Sequence, residues 1–431
     1  MQTTTHSFSK AAWLNCVPLF FSCLVLSFVF AASVHAGPYQ DSTHGDTDAG
    51  VSRVDLASKG YAGGNCAHCH EQHTSIDGIE PAPVTGAEEF LLFDTPNTNQ
   101  TSNFCFDCHG SGATLQTGGN VVNRSYSYRA GGYTSDTVDD VAEAFSLASN
   151  HNLADIVTEA SGLGWGYIVG SNACSVCHNP HSVQGDPEGS PNGTKTPSSR
   201  GWLTTLVSEN RNSDPPNLWG DAVGERLSDY TSNYQAPYRF GSTTTYEPDG
   251  SSTQDGSNLA DYNTFCMDCH NTTNTIWSSN LNRNLRAIDW ENEKHGKGNA
   301  DQYISVKNPY NEGSGSLGYV LSCLDCHEPH GSPNLYLLRA EVNGAVLSGT
   351  VSTGYQYGRF CERCHLTSGG QDWQDIHHSD NDDPYRYMMC GGCHPGSTNP
   401  QDCGRCHFHG SQTGSDGIQN ATNTPASRRT F

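Results

Sequence analysis

The sequence predicts a mostly coil chain, with short helices centred on a repeated five-residue motif and a few short strands. Its core is one that its own side chains do not supply. Three observations predict this. Cys-x-x-Cys-His occurs eight times, starting at Cys66, Cys105, Cys174, Cys266, Cys323, Cys361, Cys390 and Cys403. Apart from Cys16 and Cys23, every cysteine lies inside one of these motifs. Only 34% of the 431 residues are hydrophobic, a composition that would by itself argue for disorder.

The motif resolves that conflict. Cys-x-x-Cys-His reads as a c-type haem attachment: two thiols add to the haem vinyl groups as thioethers, and the adjacent histidine becomes the proximal iron ligand. The spacing lets one short turn present both sulfurs to one porphyrin edge while the imidazole reaches the iron. Zinc sites pair Cys-x-x-Cys units but do not demand a histidine next to each, and a disulfide scaffold would leave cysteines outside such a pattern. The chain therefore reads as a multihaem cytochrome c with eight covalently bound haems c. The thioether cysteines are Cys66 and Cys69, Cys105 and Cys108, Cys174 and Cys177, Cys266 and Cys269, Cys323 and Cys326, Cys361 and Cys364, Cys390 and Cys393, and Cys403 and Cys406. The proximal ligands are His70, His109, His178, His270, His327, His365, His394 and His407. With about one large apolar macrocycle per fifty residues, stacked haems form the core and the polypeptide is a thin wrapping that needs few leucines.

Residues 1–36 carry one basic residue, Lys10, no acidic residue, and an apolar run from Val17 to Ala32 followed by Val34-His35-Ala36. This is the pattern of a secretory signal peptide. No other apolar run approaches the length that crosses a bilayer, so no transmembrane segment is expected. The formal charge of −23 becomes one unit more negative once Lys10 is removed, which excludes nucleic acid as a partner through its phosphates. Residues 37–65 form a polar leader, 66–181 a three-haem block, and 182–265 a cysteine-free stretch rich in Gly, Ser and Tyr, expected to be an ordered loop with short strands on the haems. A five-haem block spans 266–410, and 411–431 reads as a disordered tail. Gly344 to Phe360 is a hairpin candidate. Asp380 to Asp383 reads as a solvated loop rather than a calcium site.

Ligand supply is the strongest mechanistic signal. Besides the proximal set, the signal-peptide histidines and His68, which lies inside a haem-binding loop and reads as a surface residue, nine histidines remain: His44, His73, His151, His181, His295, His330, His377, His378 and His409. Eight irons need eight sixth ligands. Methionine could serve and would raise the potential, but after the signal peptide only Met267, Met388 and Met389 are present, and Met267 lies within a motif. Bis-histidine ligation with low potentials follows. His73, His181 and His330 each stand three residues after a proximal histidine, an offset that would share a face if the segment were helical. Pro180 and Pro329 in two of these segments would instead stiffen a turn. Phe104-Cys-Phe-Asp-Cys-His109, His151 and Cys174 to His181 are matched by Phe265-Cys-Met-Asp-Cys-His270, His295 and Cys323 to His330, as if a two-haem module were duplicated.

The repeated Cys-x-x-Cys-His-x-Pro-His, with upstream lone histidines such as His151 and His295, resembles the doubled-CxxCH family of multihaem c-type cytochromes, and in style the secreted, filament-type cytochromes of metal-reducing bacteria. The resemblance covers 66–181 and 266–409 well, and 182–265 and the tail poorly. It implies electron transfer along closely spaced bis-histidine haems across or outside the cell envelope. The partners it implies are other cytochromes and extracellular or mineral acceptors. It also admits a homopolymer in which a histidine such as His44 completes a haem of the next subunit. Two other readings stand beside it. One is an octahaem oxidoreductase acting on nitrite, hydroxylamine or tetrathionate, which needs an open haem site, often marked by Cys-x-x-Cys-Lys; that motif is absent from the sequence. The other is a periplasmic electron shuttle. The expected reading is an exported, extracellular electron carrier, with no catalytic residue.

Overall fold

The computed structural model describes residues 37–71, 90–117, 140–181, 262–296 and 321–365, with short gaps, together with Lys307 and His409. Residues 1–36, read above as a signal peptide, residues 182–261, the candidate loop at Asp380 and the tail 411–431 lie outside the described residues.

Most helices are single turns and coincide with the motifs. Cys66–His68 is a 3₁₀ turn, and Phe106–His109, Cys174–Cys177, Tyr262–Met267, Cys323–Cys326 and Tyr357–Cys361 are α-helical turns. In all six described motifs the histidine N–H donates to the carbonyl of the first cysteine, at 2.8 to 2.9 Å. That i to i+4 bond is one α-turn, so the motif's length is the length of the turn. Polar residues just upstream satisfy free N–H groups at several of these starts. Asn103 accepts from Cys105 N–H and Asn172 from Cys174 N–H, both at 3.0 Å, and Ser322 with Asp325 forms a capping box. Where Pro follows two residues later, the helix stops at once. His178 (φ −124°, ψ 130°) and His327 (φ −115°, ψ 143°) are already extended. The three-residue offset to His181 and His330 is thus spanned by a stiffened turn, not by a helix face.

The longest helix, Leu153–Gly162, is capped by Asn152, whose side chain accepts from the N–H groups of Ala154 and Asp155. It sets Leu153 into an apolar cluster with Phe106, Phe145 and Ala173, and Ala160 into a second with Tyr167 and Val176, while Ile156 and Val157 touch both. Short helices at Gly37–Gln40, Val54–Ala57, Val141–Phe145 and Leu335–Leu337 and three two-stranded ladders complete the described regular structure: β1 (Ser149–Asn150) with β4 (Gly331–Ser332), β2 (Trp277–Ser278) with β3 (Arg283–Asn284), and β5 (Glu341–Val342) with β6 (Ala345–Val346). The β1–β4 pair joins residues from both haem blocks, and a Cβ at Gly331 would lie 1.8 Å from Ala144 O, so only glycine permits that approach.

The hairpin lies N-terminal to its expected place. It spans Glu341–Val346, and Tyr357 to Cys361 is helical. Asn343, at φ +49° between the two strands, is followed in sequence by glycine, and Asn-Gly is the two-residue signal for a tight hairpin. Val351 and Tyr357, expected on the hairpin, instead pack with Val342 and Leu347 in a third cluster.

Candidate functional site

Six motif histidines each face one histidine from outside the motifs. The pairs are His44–His109, His70–His181, His151–His270, His178–His330, His295–His365 and His327–His409, with ring centres 5.9 to 6.1 Å apart. Every pair contains one proximal and one distal candidate. A metal–imidazole bond of about 2 Å on each side, plus about 1 Å from each nitrogen to its ring centre, gives about 6 Å, so the residues fit an iron held between two rings. Among the described residues no group of three or more His, Cys, Asp or Glu converges as the ligands of a zinc site would.

The other ring nitrogen is occupied in five of these rings. The Nδ1–H groups of His44, His70, His151 and His327 donate to the carbonyls of Pro180, Phe90, Pro329 and Tyr336 at 2.9, 2.7, 2.6 and 2.9 Å. His409 Nδ1 donates instead to the Glu293 carboxylate at 2.6 Å. A bond at Nδ1 fixes the tautomer and leaves Nε2 for a metal. In eight of these rings burial favours the neutral form, as ligation requires. It lowers His109 and His270 to about 3, with His44 and His178 adding to the first and His151, His327 and His409 to the second. Burial and His409 lower His327 to about 4, against the opposing bond to Tyr336. His44, His151, His178, His181 and His365 are lowered too, burial being the largest cause in each.

The pairs follow a register. The first, third and fifth motifs (His70, His178, His327) face a histidine that trails a later motif: His181, His330 and His409. The second, fourth and sixth (His109, His270, His365) face a lone upstream histidine: His44, His151 and His295. His44 thus folds back within its own chain. The two Pro carbonyls bind the lone histidines His44 and His151, so each x-Pro-His segment supports one pair and contributes a ring to another.

The cysteines of successive motifs lie side by side. Burial pushes the Cys69 thiol up to about 12, with Cys108 and Cys105 of the second motif adding to it. A hydrogen bond from Cys174 of the third motif lowers Cys105. Cys269 is raised by burial and by Cys177, and Cys326 by burial and by Cys364. Between the second and third motifs the contact is built by amides: Asn172 Nδ2 donates to Asn103 Oδ1 at 2.8 Å, and Asn103 Nδ2 to Asn172 Oδ1 at 3.3 Å. The fourth and fifth are joined through Asn263, which accepts from Cys323 N–H and donates to Leu321 O.

His68 departs from the expectation of a surface residue. It is fully buried, with Nδ1 accepting from Arg53 N–H and Nε2 donating to Ala62 O, both at 2.9 Å. Both nitrogens are used within the protein, so it braces the first motif. His73, His377, His378, His394 and His407, with Cys390, Cys393, Cys403 and Cys406, lie outside the described residues. Sequence reasoning missed the asparagine pair, the proline carbonyls and Glu293. Asn two residues before the first cysteine, at both Asn103 and Asn172, was the available signal for the first.

Among the described residues no helix is long and apolar enough to cross a membrane. No curated protein and no solved structure matches the chain. Residues 318–345, which hold the fifth motif, match the doubled CXXCH motif, and this supports a multihaem c-type cytochrome with covalently bound haem.

Proposed function

We propose that the chain is an electron-transfer protein in which eight bis-histidine haems form a continuous path, exported and delivering electrons to other cytochromes or to extracellular or mineral acceptors. The observation that carries this reading is the ring pairing: six proximal histidines, six partners, one separation. When bound, the haems supply reversible one-electron chemistry at iron. The chain fixes both axial ligands, which keeps substrates off the metal, and sets low potential through two imidazoles. It also spaces the groups, because adjoining cysteine pairs in sequence order would hold adjoining porphyrin edges together.

Carried to the remaining motifs, the register offers His377 or His378 to His407. For His394 it calls for a trailing histidine beyond the last motif. His73, which trails the first motif, is the next in register if it comes from another copy, and this favours a homopolymer over a periplasmic shuttle. In electron microscopy of the cell-free fraction, polymers containing this chain are expected, and a H73A variant should shorten them. A strictly monomeric periplasmic protein refutes the polymer.

Low-temperature EPR of the oxidised protein, with a carbon monoxide difference spectrum after reduction, tests ligation. Low-spin signals alone and no carbon monoxide binding are expected. A high-spin haem that binds carbon monoxide overturns the reading in favour of an oxidoreductase, to be assayed with nitrite, hydroxylamine and tetrathionate.

A further inference from the structure

We infer that Glu293 tunes the haem of the fifth motif, held between His327 and His409, to a lower potential than a neutral carbonyl partner would give it; the inference rests on the proposed bis-histidine ligation. Among the five rings whose Nδ1 partner is described, four donate to a neutral backbone carbonyl. His409 alone of these donates to a carboxylate, at 2.6 Å. A carboxylate draws the Nδ1 proton and makes Nε2 a stronger donor to the metal. It also places negative charge beside the iron in a water-poor setting, which favours the more positive, oxidised state.

The carboxylate is built in rather than adventitious. Glu293 is 1% exposed, its Oε1 accepts from Asp289 N–H at 3.0 Å, and its own N–H donates to Asp289 O at 2.9 Å. Trp290, buried at 4%, lies 6.3 Å from the His409 ring and shields the contact. Gly296 N–H closes the turn onto Glu293 O, and two residues after Glu293 comes His295, which faces His365. One loop therefore offers an axial ligand to the sixth motif and a tuning group to the fifth. Glu328 lies 3.5 Å from His330 Nδ1, too far for a good hydrogen bond, and exerts the weaker version of the same effect on the third motif.

The test is spectroelectrochemical titration of the full, haem-loaded protein, with EPR of its oxidised form. In E293Q one of eight reduction steps should move to higher potential, one low-spin signal should move to larger gmax, and seven of each should stay. E293D, which keeps the charge, should stay close to wild type. Unchanged steps in E293Q, or equal shifts in E293Q and E293D, overturn the assignment. Should E293Q fail to load eight haems by pyridine haemochrome, the wild-type spectrum decides. One low-spin signal set apart at reduced gmax sustains the assignment, and eight equivalent signals overturn it. Carbon monoxide binding at wild-type haems would instead count against the ligation on which this rests.

Discussion

The segments around Pro180 and Pro329 do the same work with different chemistry. Each receives a lone histidine at its proline carbonyl, His44 in one and His151 in the other, and each sends a trailing histidine to a pair two motifs back. Around the first, the supporting contacts are neutral: the reciprocal Asn103–Asn172 amides and the apolar cluster of Phe106, Phe145, Leu153 and Ala173. Around the second, they are charged: the Ser322–Asp325 box, the fully buried Glu328, and Arg339, which is also fully buried and donates to Leu324 O at 2.9 Å. Ring geometry is common to both segments while polarity differs, so under the proposed ligation this fold would separate the placing of an iron from the setting of its potential.

Ligand removal should break the comparison most visibly. Under the proposed ligation H44A and H330A act on different segments, yet each should convert one haem in eight to a high-spin form that binds carbon monoxide. Carbon monoxide titration against total haem checks the stoichiometry, and a change in more than one haem would show that the segments are not equivalent units.

Acid comes next. Burial depresses His109, His270 and His327 in the fold, and a bound iron would compete with the proton in the same sense, whereas unfolded histidines titrate near 6.5. The unfolded chain therefore takes up protons first, and stability should fall as pH drops below about 6.5 towards the depressed folded values. Thermal melts followed at the haem absorbance between pH 7 and pH 4 should show Tm falling monotonically, and a flat profile would contradict neutral buried rings.

Smaller again, Leu153→Ala should cost about 3 kcal/mol in chemical denaturation, because a 1% exposed side chain leaves a cavity among Phe106, Phe145 and Ala173. Since this cluster belongs to the neutral segment, the first three haems should lose their low-spin spectrum before the rest. Smallest is Glu328→Gln. It should raise one reduction step by less than E293Q does, as its carboxylate stands 3.5 Å from His330 rather than 2.6 Å.

The part of the candidate site that the sequence makes legible is local: Cys-x-x-Cys-His folds as one turn in each described copy, and a turn can be read from five residues. The histidines available to face the motifs could also be counted, since a metal ligand must be one of few residue types. The pairing was not legible. His70 meets His181, and His178 meets His330, across long stretches of chain, and nothing local encodes which ring crosses to which iron. His68 misled because its neighbours in sequence are a haem loop, whereas its partners, Arg53 and Ala62, lie upstream. The hairpin was misplaced because β-branched and aromatic residues after Gly344 outweighed the Asn343-Gly344 turn, although Val351 and Tyr357 serve a cluster rather than a strand.

The alternation between upstream and trailing partners bears on how such a chain would mature during the proposed export. Under the proposed ligation, His109 finds its partner already outside, because His44 emerges earlier from the translocation channel. His70 must wait for His181, His178 for His330, and His327 for His409. The odd-numbered irons would therefore spend part of translocation five-coordinate, open to small ligands and to oxidants, while the even-numbered ones close as soon as they are attached. A vectorial assembly line of this kind leaves every second station unfinished until a later one arrives, and a stalled or truncated chain would be left with a reactive metal at its newest end.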